Sequence, residues 1–201
     1  MRVNEQNPSP DAQAKYQVRF DWGRRGAARI GAGVDILVWV DVLPDAAGRT
    51  PNLGGGAVDL AGLAPIDAAV LEAGLVDASA AARWILAEQE RLGRRAFIAV
   101  VGAGDADERF AADDLLGAGA VIDALAGLGV DDTSPEAAVA AAAFGGLRRA
   151  VRHLTSASTS GRSAAAAGLS AAELHTAAAL DSSDTARVLR AGGTAGKASR
   201  G

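Results

Sequence analysis

Apolar residues fall along this chain in two alternating patterns, short strand-like runs and helical stripes. Tyr16-Gln-Val-Arg-Phe-Asp-Trp22 alternates apolar and polar positions and predicts a half-buried strand. Val34-Asp-Ile-Leu-Val-Trp-Val40 is nearly continuous and predicts a central strand covered on both faces. Ala68–Gly74 and Arg95–Val101 are further strands. Residues 44–67 read as loop from Pro44, Pro51, Pro65 and Gly54-Gly55-Gly56, with a short strand at Ala57–Leu60.

Helical signals separate and follow these runs. Ala78, Ala81, Ala82, Ile85 and Leu92 share one face of a helix over 78–92, with Asp77 or Ser79 as its cap and Glu90–Arg94 as an i,i+4 pair. A second helix covers Asp113–Leu128. Thr133 and Glu136 fit a capping box, with Pro135 in the first turn, opening a helix to about His153 that breaks at Gly145-Gly146. Ser156–Arg162 reads as a hydroxyl-rich loop, and Ser170-Ala-Ala-Glu173 as a capping box opening a helix to Leu180. Trp22, Trp39 and Trp84 read as core. Strands alternating with helices predict an α/β fold with a central sheet and helices on both faces. The organisation expected is a disordered lead at 1–14, one α/β domain at 15–190 and a flexible tail at 191–201.

Composition narrows the function. The 201 residues carry 20 Lys and Arg against 24 Asp and Glu, a net charge of −4, which is unlike the basic surface of a nucleic-acid binder. Cysteine is absent, which excludes disulfides, thiolate zinc sites and a cysteine nucleophile. Met1–Ala14 has no apolar core of a signal peptide, and no apolar run reaches the roughly 18 residues of a bilayer span. The expectation is a cytoplasmic protein with neither nucleic-acid nor membrane partners; a homo-oligomer is compatible with the sequence.

The chemistry concentrates at Phe97–Ala120. There an apolar run ends in Gly102 and Gly104, five acids follow (Asp105, Asp107, Glu108, Asp113, Asp114), and an Ala/Gly-rich helix begins. Ligands of α/β sheets sit where strands end and helices start. A dinucleotide fingerprint fails, because Asp107 stands where the third glycine is needed and acids crowd the place of a pyrophosphate. Carboxylates crowded at such an end are costly unless solvated or bound to a cation, which raises a magnesium site.

Asp41 ends the most apolar run, where it is either a site carboxylate or one turned to solvent or capping a turn. By helical phase Asp114 shares the inward stripe of Ala118, Val121 and Leu125, whereas Asp113 points outward. Either acid could instead only compensate the helix dipole. Ser158-Thr-Ser-Gly-Arg162 reads as an anion cradle or as a polar loop. His153 and His175 have no second histidine at helical spacing and read as surface or packing residues.

These residues resemble a known family. Val40-Asp-Val-Leu43, Ala103-Gly104, Asp113-Asp-Leu-Leu-Gly-Ala-Gly119 and Ser160-Gly-Arg162, with Val76-Asp-Ala-Ser-Ala80, Gly168 and Asp181, look like the 2-phosphosulfolactate phosphatase family. The similarity runs from Tyr16 to Leu43 and from Val70 to Leu189. It implies a three-layer α/β/α fold with a mixed central sheet and Mg²⁺-dependent hydrolysis of a phosphate monoester, a step of coenzyme M type. The implied substrate is a small phosphorylated or sulfonated acid. The implied metal ligands are Asp41, Asp113 and Asp114, with Asp41, Asp114 and Arg162 catalytic and Asn52, Ser160, Gly161 and Arg162 binding substrate. The chain departs from the family at Pro44-Asp-Ala46, where an Arg and a Thr/Ser run are usual, at the shortened Pro51–Gly54 turn, and at Gly102, where Cys is common. Two further readings follow: a non-catalytic relative that binds an anionic metabolite or a protein partner, and an interaction protein whose acids only stabilise helix ends.

Overall fold

A computed structural model describes residues 9–43, 63–105 and 108–193. The sequence features at Pro44–Ala46, Asn52, Ala57–Leu60 and Asp107 lie outside the described residues. The sheet is built from β1 (Val18–Trp22), β2 (Ile36–Val40), β3 (Ala69–Ala73), β4 (Ile98–Gly102) and β5 (Arg187–Arg190), in the order β1-β4-β2-β3-β5. The first four are parallel, and β5 runs antiparallel on the edge of β3, so the sheet is mixed. All five residues of β2 are buried, as its unbroken apolar run requires of a strand covered on both faces. Each such Val or Leu contributes about 1.5–3 kcal/mol by leaving water.

The two covers are unequal. On one face α1 (Gly23–Ile30), with Leu63 and Ala64, covers Leu37, Trp39, Val70, Ala99 and Val101. The other face carries the larger core, against α2 (Ala78–Leu92), α3 (Ala112–Gly127) and α4 (Pro135–Leu147). Outside these lie α5 (Val151–Ala157), α6 (Thr159–Ala166) and α7 (Ala171–Ala177). The strand order explains the split. The chain moves one way across the sheet from β1 to β2 and the other way from β3 to β4, so right-handed crossovers place α1 and α2 on opposite faces.

Helix α3 is pressed between sheet and helices, and its glycines make that possible. A Cβ at Gly117 would meet the Val42 and Val40 side chains at 2.7 and 2.9 Å. One at Gly119 would lie 2.2 Å from the Ala140 carbonyl of α4. The Gly-Ala-Gly of the acid-pair motif is therefore a packing device.

Several local expectations change in the folded chain. Helix α1, with no sequence signal strong enough to announce it, is tied by the buried Arg19, which donates to the carbonyls of Ile30, its last residue, and of Ala32 just beyond. Within the expected lead, a 3-10 turn at Pro10–Ala12 precedes Gln13, whose amide donates to the Phe20 carbonyl and accepts from its N–H. Ser134 rather than Thr133 caps α4, because residues 132–134 are drawn into a bridge with Val18 on the edge of β1. The break after α4 falls in a 3-10 turn at Arg148–Ala150, not at Gly145-Gly146. A glycine costs a helix only about 1 kcal/mol, and packing of Ala140 and Phe144 outweighs it. Arg94 pairs with Asp35 at 2.6 Å instead of Glu90. The capping box at Ser170 and Glu173 forms as its spacing predicts.

The packing role of Gly119 sets a stability test. Gly119→Ala is expected to cost about 1–3 kcal/mol by overpacking. Gly145→Ala, in helical backbone with open space around it, is expected to gain up to about 1 kcal/mol. Thermal and urea unfolding of the two variants would give opposite signs.

Candidate functional site

The carboxyl ends of the parallel strands form one rim, at Trp22, Gly102, Val40 and Ala73. The chain leaves β1 into α1 on one face and β4 into α3 on the other, the arrangement that opens a ligand crevice in α/β sheets. Asp114, in the first turn of α3, reaches into this rim. Its Oδ1 accepts the Val42 amide at 2.8 Å and its Oδ2 the Gly104 amide at 2.9 Å. One carboxylate thus fastens the end of β2 to the turn after β4. Gly104 has φ +79°, and a Cβ there would lie 2.5 Å from the Arg109 carbonyl, so this turn needs glycine.

Asp114 is 2% exposed, and burial, followed by the charges of Asp113 and Asp41, holds its pKa well above the usual carboxylate value. Asp41 and Asp114, 73 positions apart in sequence, therefore stand at one rim within each other's field. Asp41 itself is half-buried at the end of β2.

Asp113 is the clearest correction to the helical-phase argument. It is 1% exposed rather than outward-facing, because α5 and α6 cover that side of α3. Its Oδ1 accepts the Ser160 hydroxyl at 3.0 Å, while its Oδ2 is buried without a hydrogen-bond partner among the described residues. Burial is the main cause raising its pKa. The acid-pair and Ser-Gly-Arg motifs, 47 positions apart, are thus in direct contact.

The supposed loop at 156–162 is the junction of two helices. Ser158 ends α5 and caps α6: its hydroxyl accepts the Gly161 amide at 2.9 Å and donates to the Thr155 carbonyl. A Cβ on Gly161 would lie 2.1 Å from that carbonyl, which explains the glycine. A hydroxyl-rich segment reads as loop, yet Ser is also the preferred helix cap, and here capping prevails. Arg162 is exposed on α6, and its guanidinium makes no hydrogen bond or ion pair among the described residues.

Other rim acids cap helices whose own N-cap side chains do not. Glu108 accepts the Arg24 and Arg25 amides at the start of α1. Asp181 accepts the Ser79 amide at the start of α2, while Asp77 turns back to the Gly74 amide. Asp105 pairs with Arg109 at 3.3 Å. Sequence reasoning missed these roles because each cap comes from a segment that only the fold brings near.

Among the described residues, no three His, Asp or Glu side chains are grouped so as to hold one metal ion. Mg²⁺ in phosphate sites needs only one or two carboxylates, completed by waters and substrate oxygens. Asp41, half-buried at the rim, is the carboxyl that could serve in such a smaller set. Asp114, enclosed and with both oxygens accepting amides, supplies charge and position more readily than an open ligand oxygen.

Asp114→Ala, which removes both bridges and leaves two amides to find water, is expected to cost about 2–3 kcal/mol. A carboxyl with a raised folded pKa favours the native state fully below its unfolded value, about 3.9, and less as pH rises through the folded value. Urea titrations from pH 4 upward should therefore give a shallower decline in stability for Asp114→Ala than for the parent.

A search of the curated proteins finds no match to this chain. The family model described as 2-phosphosulpholactate phosphatase matches residues 56–192. That span contains the acid pair, the Gly-rich turn of α3 and Ser160-Gly-Arg162, and begins after Asp41 and Asn52. With more than half of the chain matched, and with its motifs meeting in one α/β fold, the protein belongs to the 2-phosphosulpholactate phosphatase family.

Proposed function

We propose that the chain hydrolyses a phosphate monoester of a small hydroxy acid at the rim between β4 and β2, with Mg²⁺ as cofactor. The observation that carries the reading is the meeting of the Asp41–Val42 strand end with Asp114 at one rim, in a member of a phosphatase family. A phosphorylated or sulfonated acid of the kind the family's description names is the substrate class to begin from.

Phosphoryl transfer is governed by positioning and charge neutralisation. Mg²⁺ would neutralise phosphate charge and acidify a bound water. Asp41 would hold the ion, and Asp114 fixes the neighbouring backbone at Val42 and Gly104. Asp113 docks α6 on α3 through Ser160, and α6 carries Arg162. With Pro44 in place of the family's usual Arg, Arg162 is our candidate for binding phosphate or sulfonate oxygens. No role is assigned to Asn52.

One observation favours the second reading, a non-catalytic relative that binds an anionic metabolite. Both oxygens of Asp114 and one of Asp113 are already engaged inside the protein. Turnover decides between the two.

Purified protein given a panel of phosphate monoesters should release phosphate with Mg²⁺ and not after chelation. Asp41→Asn should lower kcat/KM at least a hundredfold. Arg162→Ala should abolish activity, whereas Arg162→Lys should keep a little, since a point charge does not reproduce a bidentate clamp. Binding of a phosphorylated or sulfonated acid by calorimetry without any phosphate release would establish the non-catalytic reading instead. Full activity in Arg162→Ala would remove that residue from the site.

A further inference from the structure

The rim has an aromatic flank that the phosphate chemistry does not use. Phe110 is 65% exposed, where a large aromatic side chain loses the benefit of burial. Its ring lies 5.5 Å from that of Trp22, which in turn meets the buried Phe20 edge-on at 5.3 Å. The three rings form a path from the core to the surface at the end of β1. Trp22 is free to lie over β4 because Gly102 has no side chain: a Cβ there would meet the Trp22 ring at 2.7 Å. The residue at 102, where the family often has Cys, and the indole at 22 are thus a matched pair.

The register fixes how far this flank is from the carboxylates. Trp22 pairs with Gly102, and Gly102 with Val40. Neighbouring strands are about 4.8 Å apart, so Trp22 and Val40, which precedes Asp41, are separated by roughly 10 Å. Phe20, Trp22 and Val40 pack with the core on the α3 face, the side from which Asp114 enters. Phe110 stands one residue before Ala111, the N-cap of α3, and follows the bridge between Asp105 and Arg109 beside Gly104. The crevice between β1 and β4, from which the chain departs to opposite faces, is where an α/β sheet receives its ligand.

We propose that Trp22 and Phe110 form a subsite for an aryl group on the organic half of the phosphate ester. The substrate class is then a 2-phosphorylated hydroxy acid with a flat apolar group at its third carbon. This rests on the proposed phosphate site, because the roughly 10 Å span has meaning only if the phosphate is held near Asp41. Trp22 supplies the supported edge of the platform and Phe110 its open face. A phenyl ring entering there would complete the aromatic contacts that Phe110 lacks on its solvent side.

Two non-hydrolysable probes test the subsite without requiring turnover. Calorimetry of the full chain with Mg²⁺ should give 3-phenylpropylphosphonate, whose ring is as many bonds from phosphorus as in the ester, about tenfold tighter binding than propylphosphonate. Phe110→Ala should remove the preference and Phe110→Tyr should restore it, while Val139→Ala, an exposed apolar residue on α4, should leave it intact. If the protein is active, kcat/KM for 2-phospho-3-phenyllactate over 2-phospholactate should follow the same order. Equal binding of both phosphonates, or a preference that survives Phe110→Ala, would overturn the aryl subsite and leave the phosphate site standing. Failure of both phosphonates to bind would overturn the subsite together with the phosphate site.

Discussion

The carboxylate of Asp114 joins the backbone amides of Val42 and Gly104, and the working end of the sheet depends on that bridge. Strand ends have amides that no neighbouring strand accepts from, and an enclosed rim offers little water to replace it. One side chain from α3 accepts from two such amides, so helix and strands are fastened at the place where a ligand would enter. The cost is a carboxyl buried beside Asp113 and Asp41, and the raised pKa of Asp114 expresses it. Because Asp114 is held by backbone, the rest of α3 has to sit close to β2, and Gly117 and Gly119 remove the atoms that would keep it away.

The same economy of roles runs through the motif downstream. Ser158 caps α6, Ser160 donates to Asp113, and Gly161 lets the junction close against the Thr155 carbonyl. Three residues of the Ser158–Arg162 segment thus have a task in holding the helix layer together, which leaves Arg162 as its exposed cation. The Ser160 hydroxyl on Asp113 also joins the acid pair to the Ser-Gly-Arg segment. They are two halves of one joint, whether or not they also act on a substrate.

The rim is asymmetric. Glu108 and Asp181 occupy the amino ends of α1 and α2, so the helix termini that could attract an anion are already answered by carboxylates of the chain. On the α3 face, Trp22 and Phe110 lie at the ends of β1 and β4, and Asp114 reaches the ends of β4 and β2.

The sequence by itself determined the layered α/β class, the buried central strand at β2, the limits of α2, the capping box of α7 and the inward face of Asp114. Each follows from local periodicity or spacing, which short-range sterics and burial enforce. Tertiary structure alone decided the outer neighbours. It buried Asp113, since the helices that cover α3 come from more than twenty residues further on. It moved the α4 cap from Thr133 to Ser134 because an edge strand captured the preceding residues. It gave Arg94 to Asp35, Glu108 to α1 and Asp181 to α2, and it made a short antiparallel strand of β5. A one-dimensional pattern records which face of an element is apolar. It does not record which distant element arrives there, and capping, pairing and burial of polar groups depend on that arrival.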